Sequence, residues 1–81
     1  MGIDELITLE DGKEYVLLFE SNLENNKYFL AAEMKDGQPT ETYEIFKQIE
    51  DAEGFSVEEV NDVKLKDQLI TDFEKQYDEE N

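Results

Sequence analysis

The sequence contains no cysteine, histidine, arginine or tryptophan, and it has a single proline. Without cysteine, the chain can form neither a disulfide framework nor a thiolate metal site. Without histidine, it lacks the commonest proton-transfer side chain, and Ser21 and Ser56 have no histidine base to activate them. Without arginine, it lacks the usual bidentate clamp for phosphate or carboxylate groups. These absences predict a protein that is not an enzyme and that carries no cofactor or metal.

Negative charge is what the chain has in excess. Its 81 residues include 23 acidic and 7 basic side chains, for a formal net charge of -16. Such a charge opposes direct binding to nucleic-acid phosphates and to anionic lipid surfaces. The acidic residues do not form an EF-hand loop, which needs an acidic residue five positions before its glycine. That position is apolar each time: Ile7 before Gly12, Ala32 before Gly37 and Ile49 before Gly54.

The chain also lacks any long apolar run. Its first residues, Met1-Gly2-Ile3-Asp4-Glu5, are acidic and do not resemble a signal peptide. No stretch is long and apolar enough to suggest a transmembrane helix. We therefore expect a cytoplasmic protein with no membrane partner. The length predicts a single domain over residues 1–81, with residues 1–4 and 78–81 frayed.

Apolar segments separated by turn formers predict β-strands. The strongest two are residues 15–19 and 28–34, and the polar residues 20–26 between them are typical of a loop. Residues 35–40, which include Gly37 and Pro39, predict a second loop. Shorter or weaker strand patterns lie at residues 6–9, 42–49 and 55–60.

The pattern changes to a helical period after Asn61. Asp62 is suited to be the N-cap, because its carboxylate can accept a free backbone N–H at the helix start. Five residues then form one apolar stripe over about four turns: Leu65, Leu69, Ile70, Phe73 and Tyr77. Strands first and a helix last predict an α+β fold, an antiparallel β-meander of four to five strands with one C-terminal amphipathic helix packed on one face.

The first hairpin raises the question of what covers the second face of the sheet. A two-residue type I′ turn at Asp11-Gly12 places Ile7 opposite Val16. One face then holds Ile7, Leu9, Val16 and Leu18, and the other holds Leu6, Tyr15, Leu17 and Phe19. A single helix covers one face only. The second set therefore predicts an interaction surface, unless loops cover it or the register differs by one residue.

Two functions follow as hypotheses. The first is a non-enzymatic protein–protein interaction module that binds a protein partner or forms a homodimer through Leu6, Tyr15, Leu17 and Phe19. The alternative is an acidic nucleic-acid-mimicking decoy that binds a basic protein. The decoy is suggested by the stretch from Glu50 to Asp62, which holds six acidic residues and no lysine. The ordinary explanation of such a stretch is a well-solvated surface.

The order of strands and acidic turns resembles the YrzB-like small acidic bacterial proteins, catalogued as domain of unknown function 1292. The matching segments are residues 7–14, 27–30, 43–47 and 51–54, followed by Val60, Asp62, Leu69 and Phe73. The resemblance covers nearly the whole chain from Ile3. It implies a cytoplasmic bacterial protein with no assigned activity, and it supplies no catalytic or binding residues.

The net charge predicts that salt stabilises the fold. Repulsion between the acidic side chains of the folded state weakens as the Debye length falls from about 30 Å at ~0.01 M salt to about 3 Å at ~1 M. We expect the midpoint of urea unfolding to rise as sodium chloride is added over this range. Urea is uncharged, so the denaturant leaves ionic strength unchanged. A midpoint that stayed constant or fell would contradict the expectation.

Overall fold

The computed structural model describes residues 2–80 and contains one five-stranded sheet and one helix. The strands are β1 (Leu6–Thr8), β2 (Glu14–Leu23), β3 (Asn26–Lys35), β4 (Gln38–Asp51) and β5 (Gly54–Glu59), and the helix is α1 (Val63–Glu80). Each strand pairs antiparallel with the next, in the order β1-β2-β3-β4-β5. The α+β meander predicted from the sequence is confirmed. No helix in residues 2–80 is long and apolar enough to cross a membrane.

The central strands are longer than the sequence predicts, because their connections are tight turns. Glu24 and Asn25 join β2 to β3 with φ angles of 51° and 69°, and Asp36 and Gly37 join β3 to β4 with φ angles of 51° and 77°. Two consecutive positive φ angles are the geometry of a type I′ turn, whose twist matches that of the strands. The loops predicted at residues 20–26 and 35–40 are therefore wrong, since most of both segments belongs to strands.

The first turn has three residues and not two. The Leu9 N–H donates to the Lys13 carbonyl at 2.9 Å, and the Gly12 N–H donates to the Leu9 carbonyl at 2.9 Å. Gly12 has a φ of 87°, which completes a type I turn followed by a left-handed residue. The Asp11 carboxylate supports this turn by accepting the Lys13 N–H at 3.0 Å. The two-residue turn predicted at Asp11-Gly12 is wrong.

The longer turn changes which side chains share a face. It pairs Ile7 with Tyr15, one residue away from the predicted register, so these two project together and Leu6 projects the opposite way. An irregularity in the β2–β3 pairing between Leu17 and Phe19 then places those two side chains on opposite faces as well. Leu17 packs on the face of Tyr15, and Phe19 packs on the face of the helix. The prediction that Leu6, Tyr15, Leu17 and Phe19 share one face is wrong.

The inner face of the sheet is covered by the sheet itself. Its buried cluster consists of Tyr15, Leu17, Phe29, Ala31 and Phe46, and Ile7, Leu9 and Val57 pack against it. Ile7 lies in β1 and Val57 in β5, the two ends of the strand order. Residues of the first hairpin and of β5 also line one cleft of about 710 Å³. The sheet therefore curls until its two edge strands face each other across the inner cluster.

The outer face is covered in part by α1. Tyr28, Ile45 and Val60 of the sheet side form a buried cluster with Leu69 and Phe73 of the helix. Partly buried side chains extend this cluster: Phe19, Leu23, Leu30 and Leu65. The predicted packing of one helix on one face is confirmed, although the residues of that face differ from those predicted.

Specific hydrogen bonds fix the position of α1. The Asp62 carboxylate accepts the Lys64 N–H at 3.0 Å and the Leu65 N–H at 3.2 Å, which confirms Asp62 as the N-cap. Farther along, the buried Ser21 hydroxyl donates to the Asp72 carboxylate. The Gln76 amide donates to the Glu20 carbonyl at 2.8 Å. Both of these bonds join α1 to β2.

Both chain ends contain backbone structure. The Asp4 N–H donates to the Leu17 carbonyl at 2.7 Å, and α1 continues to Glu80. The fraying of residues 1–4 and 78–81 stays a prediction. Met1 and Asn81 lie outside the described residues.

The apolar stripe of α1 divides into two rows. Leu65, Leu69 and Phe73 face the sheet, and the latter two are 1% and 3% exposed. Ile70 and Tyr77 remain 40% and 59% exposed on the side of the helix. The stripe is therefore wider than the surface that the helix buries.

Truncating one residue from each row tests this division. We expect Leu69→Ala to lower the free energy of unfolding by about 2–5 kcal/mol, because it removes buried methyl groups and leaves a cavity. Ile70→Ala, one position along the same helix, should cost much less because its side chain is already partly in water. Urea unfolding followed by circular dichroism measures both. Equal losses for the two variants would contradict the packing described.

Candidate interaction surface

One end of the outer face lies beyond the reach of α1. There the register aligns Leu6, Val16, Ala32 and Tyr43 in a single row across β1 to β4. These four side chains project to the helix side, because directly opposed residues of neighbouring strands share a face. Leu6 and Tyr43, at the two ends of the row, are 56% and 54% exposed. The row thus continues the apolar outer face past the edge of the helix.

A groove of about 690 Å³ runs between this end of the sheet and α1, and we call it the helix–sheet groove. Its floor comes from β2, β3 and β4 and consists of Leu18, Phe19, Leu30, Tyr43 and Ile45. Its wall comes from α1 and consists of Ile70, Phe73 and Tyr77. The groove is therefore apolar and is built on regular secondary structure.

Charged residues border the groove. Glu74 and Asp78 line it together with Lys66, so acidic groups outnumber basic ones along its border. The exposed apolar residues of α1, which the sheet does not bury, lie between these charges. An apolar centre with a polar border is the arrangement found in protein interfaces.

The four residues predicted as an interaction surface are dispersed. Tyr15 and Leu17 are 4% and 0% exposed and belong to the inner cluster, where no partner can reach them without unfolding. Phe19 is partly buried in the floor of the helix–sheet groove. Leu6 is exposed at the end of the cross-strand row. Only Phe19 and Leu6 thus lie on the apolar outer face.

The prediction missed Tyr43, Ile70 and Tyr77. A signal for them exists in the sequence, since Ile70 and Tyr77 lie seven residues apart on the helical stripe and Tyr43 alternates with Ile45. The pattern does not show that Ile70 and Tyr77 lie on a side of α1 that the sheet leaves uncovered.

Two acidic side chains, Glu44 of β4 and Glu59 of β5, share the inner face of the sheet with Phe46. Burial raises the pKa of Glu44, and hydrogen bonding to Glu59 and the negative charge of Glu59 raise it further. The positive charges of Lys66 and Lys13 act in the opposite direction and lower it. Folding therefore favours the protonated form of Glu44.

Tyr15 lies on the inner face beside this acidic pair. Its ring packs edge-to-face against Phe46, with a centroid separation of 5.1 Å and an angle of 75°. Burial raises the pKa of the Tyr15 phenol, and the negative charges of Glu33 and Glu44 add to the effect. The phenol therefore stays neutral and serves packing.

Within residues 2–80, no group of three or more acidic side chains could hold a metal ion. Comparison of the chain with protein-family models, with curated proteins and with solved structures finds no match. The resemblance to the YrzB-like proteins stays a prediction from the residues.

The Glu44–Glu59 pair predicts a pH dependence of stability. Folding raises the pKa of Glu44 above its ordinary value of 4.5. Protonation of Glu44 therefore stabilises the folded state fully below pH 4.5, and this stabilisation is lost as the pH rises through the raised pKa. Glu44→Gln mimics the protonated form. We expect this variant to be more stable than the wild type near pH ~7, with the difference shrinking toward pH ~4.

Urea unfolding of the wild type and Glu44→Gln across this pH range measures the difference. Glu41→Gln is the matched control, since Glu41 is an exposed residue of the same strand. It removes the same charge without removing the interaction with Glu59. A difference between wild type and Glu44→Gln that did not vary with pH would contradict the account of the pair.

Proposed function

We propose that this protein is a non-enzymatic protein–protein interaction module that binds its partner through the helix–sheet groove. The observation that supports the proposal is the exposure of three large apolar side chains along one groove. Tyr43, Ile70 and Tyr77 are 54%, 40% and 59% exposed there. Contiguous exposed apolar surface with a polar border is typical of binding sites, and aromatic residues commonly supply much of the binding energy.

The net charge of -16 favours a protein with a basic surface as the partner. Complementary charge accelerates association and discriminates against acidic partners. The acidic border of the groove, at Glu74 and Asp78, lies where it would meet such a surface directly. Anionic partners, including nucleic acids and acidic lipids, are opposed by the same charge.

The decoy hypothesis uses a different surface. Glu50, Asp51, Glu53 and Glu58 are exposed on the β4–β5 hairpin, away from the apolar floor of the groove. A decoy would bind a basic protein through these acids and would displace nucleic acid from it. Binding would then depend on the hairpin acids and be strongly weakened by salt, whereas groove binding would depend on apolar side chains.

Substitutions on the two surfaces distinguish these functions. We expect Ile70→Asp to weaken binding to the natural partner by about tenfold or more, a loss of at least ~1.4 kcal/mol. Val63→Asp is the matched control, since Val63 is on the same helix, is 72% exposed and does not line the groove. The partner is isolated by affinity capture from a native lysate with the wild-type protein, purified, and titrated against each variant.

Circular dichroism and urea unfolding of each variant establish that it is folded before it is titrated. Retention of full affinity by Ile70→Asp would overturn groove binding. Two results together would replace the interaction module with the decoy function. The double variant Glu50→Gln, Glu58→Gln would have to abolish binding, and the wild-type protein would have to displace nucleic acid from the partner.

A further inference from the structure

We infer that the helix–sheet groove receives a basic amphipathic α-helix from the partner, lying beside α1 and completing a second helical layer on the sheet. The inference rests on the proposed function and adds the shape and charge of the binding segment. Four features support it: the length of the strands, the position of the floor on a sheet face, the length of the groove, and the charges at its border.

The strands are longer than one helix is wide. The 10 residues of β2 or of β3 span about 33 Å at ~3.3 Å per residue, whereas an α-helix with its side chains is about 10–12 Å across. Helix α1 covers the part of the outer face near Tyr28 and Val60. The row that ends in Leu6 and Tyr43 is left with its end residues more than half exposed. The strand length that α1 leaves uncovered has room for one more helix.

The floor of the groove favours a helix over an extended strand. An extended peptide gains most of its affinity by adding main-chain hydrogen bonds to a free sheet edge. The floor consists of side chains on one face of the sheet, whereas the backbones of β2, β3 and β4 hydrogen-bond in the plane of the sheet. A strand lying on this face could therefore add no main-chain hydrogen bonds to it. A helix satisfies its own backbone hydrogen bonds and needs only an apolar surface.

The length of the groove suits a short helical segment. Its helical side extends from Lys66 through Ile70 and Glu74 to Asp78. At about 1.5 Å per residue this stretch is about 18 Å long, or a little over three turns. A partner helix of that length presents apolar residues at positions i, i+3 or i+4, and i+7, and these would contact the exposed side chains of Ile70 and Tyr43.

Charge at the border defines the polar side of the partner helix. Glu74 and Asp78 border the groove together with Lys66, so acidic groups outnumber basic ones there. Lysine or arginine on the flanks of a docked helix would contact these carboxylates. A second copy of this chain is disfavoured as the occupant, because it would bring a further net charge of -16 into contact with the first.

Model peptides test the inference directly. The probe is a synthetic peptide of about 18 residues, about 27 Å long as a helix, made of leucine and lysine with leucine at helical spacing. A second peptide has the same composition with leucine and lysine alternating, so that its apolar side forms only in an extended strand. Both carry the same charge. Each is titrated into the isotopically labelled wild-type protein, Ile70→Asp and Val63→Asp, and amide chemical shifts are followed by NMR.

We expect the helical peptide to shift the signals of Tyr43, Ile70 and neighbouring groove residues and to bind Ile70→Asp at least about tenfold more weakly. Its affinity for Val63→Asp, which carries the same added charge, should stay within about twofold of the wild type. Stronger groove binding by the alternating peptide would overturn the helical occupant. Equal affinity for wild type and Ile70→Asp would show charge attraction alone and would also overturn it. Groove signals that moved with concentration of the free protein would identify a second copy as the occupant.

These outcomes are separable from the proposed function. If the helical peptide failed to bind the groove but the natural partner still required Ile70, the interaction module would stand and only the helical occupant would be wrong. If the natural partner did not require Ile70, the proposed function itself would fail, whatever the peptides showed.

Discussion

The burial of Phe29 and Phe46 on the inner face is the constraint on which the rest of the structure depends. These two rings are 0% and 2% exposed, yet no helix covers their side of the sheet. They are enclosed because the sheet curls and brings Ile7 of β1 and Val57 of β5 against the same cluster. The irregularity in β2 between Leu17 and Phe19 is where such a bend is accommodated. Residues 2–80 thereby form a core on each face of the sheet with a single helix.

The curl also explains why an apolar surface remains open. Because the inner face closes on itself, α1 is free to pack on the outer face, where its bonds to β2 near Ser21 and Glu20 hold it toward one end. The opposite end, including Tyr43, continues the same apolar face without a second helix. The helix–sheet groove is thus the unfilled part of a two-layer arrangement, and it is the part of the outer face that is open to a partner.

The negative charge has different consequences at different places. Asp62 and Asp72 stabilise the fold, one as the N-cap and the other as the acceptor for Ser21. Glu44 opposes the fold when it ionises, because burial and the nearby charge of Glu59 favour its protonated form. Along the groove, acidic groups set the charge that a partner must carry. The net charge alone indicates none of these separate roles.

The sequence by itself determined the element types, the meander, the N-cap at Asp62 and the burial of Leu69 and Phe73, because these depend on local periodicity and capping. The tertiary structure decided which side chains share a face. An Asp-Gly pair suits turns of two or three residues, and one added residue exchanges the faces of a strand, so Tyr15 and Leu17 became core. The exposure of Tyr43 depends on how far α1 extends over a curled sheet, which is a long-range property that local pattern does not encode.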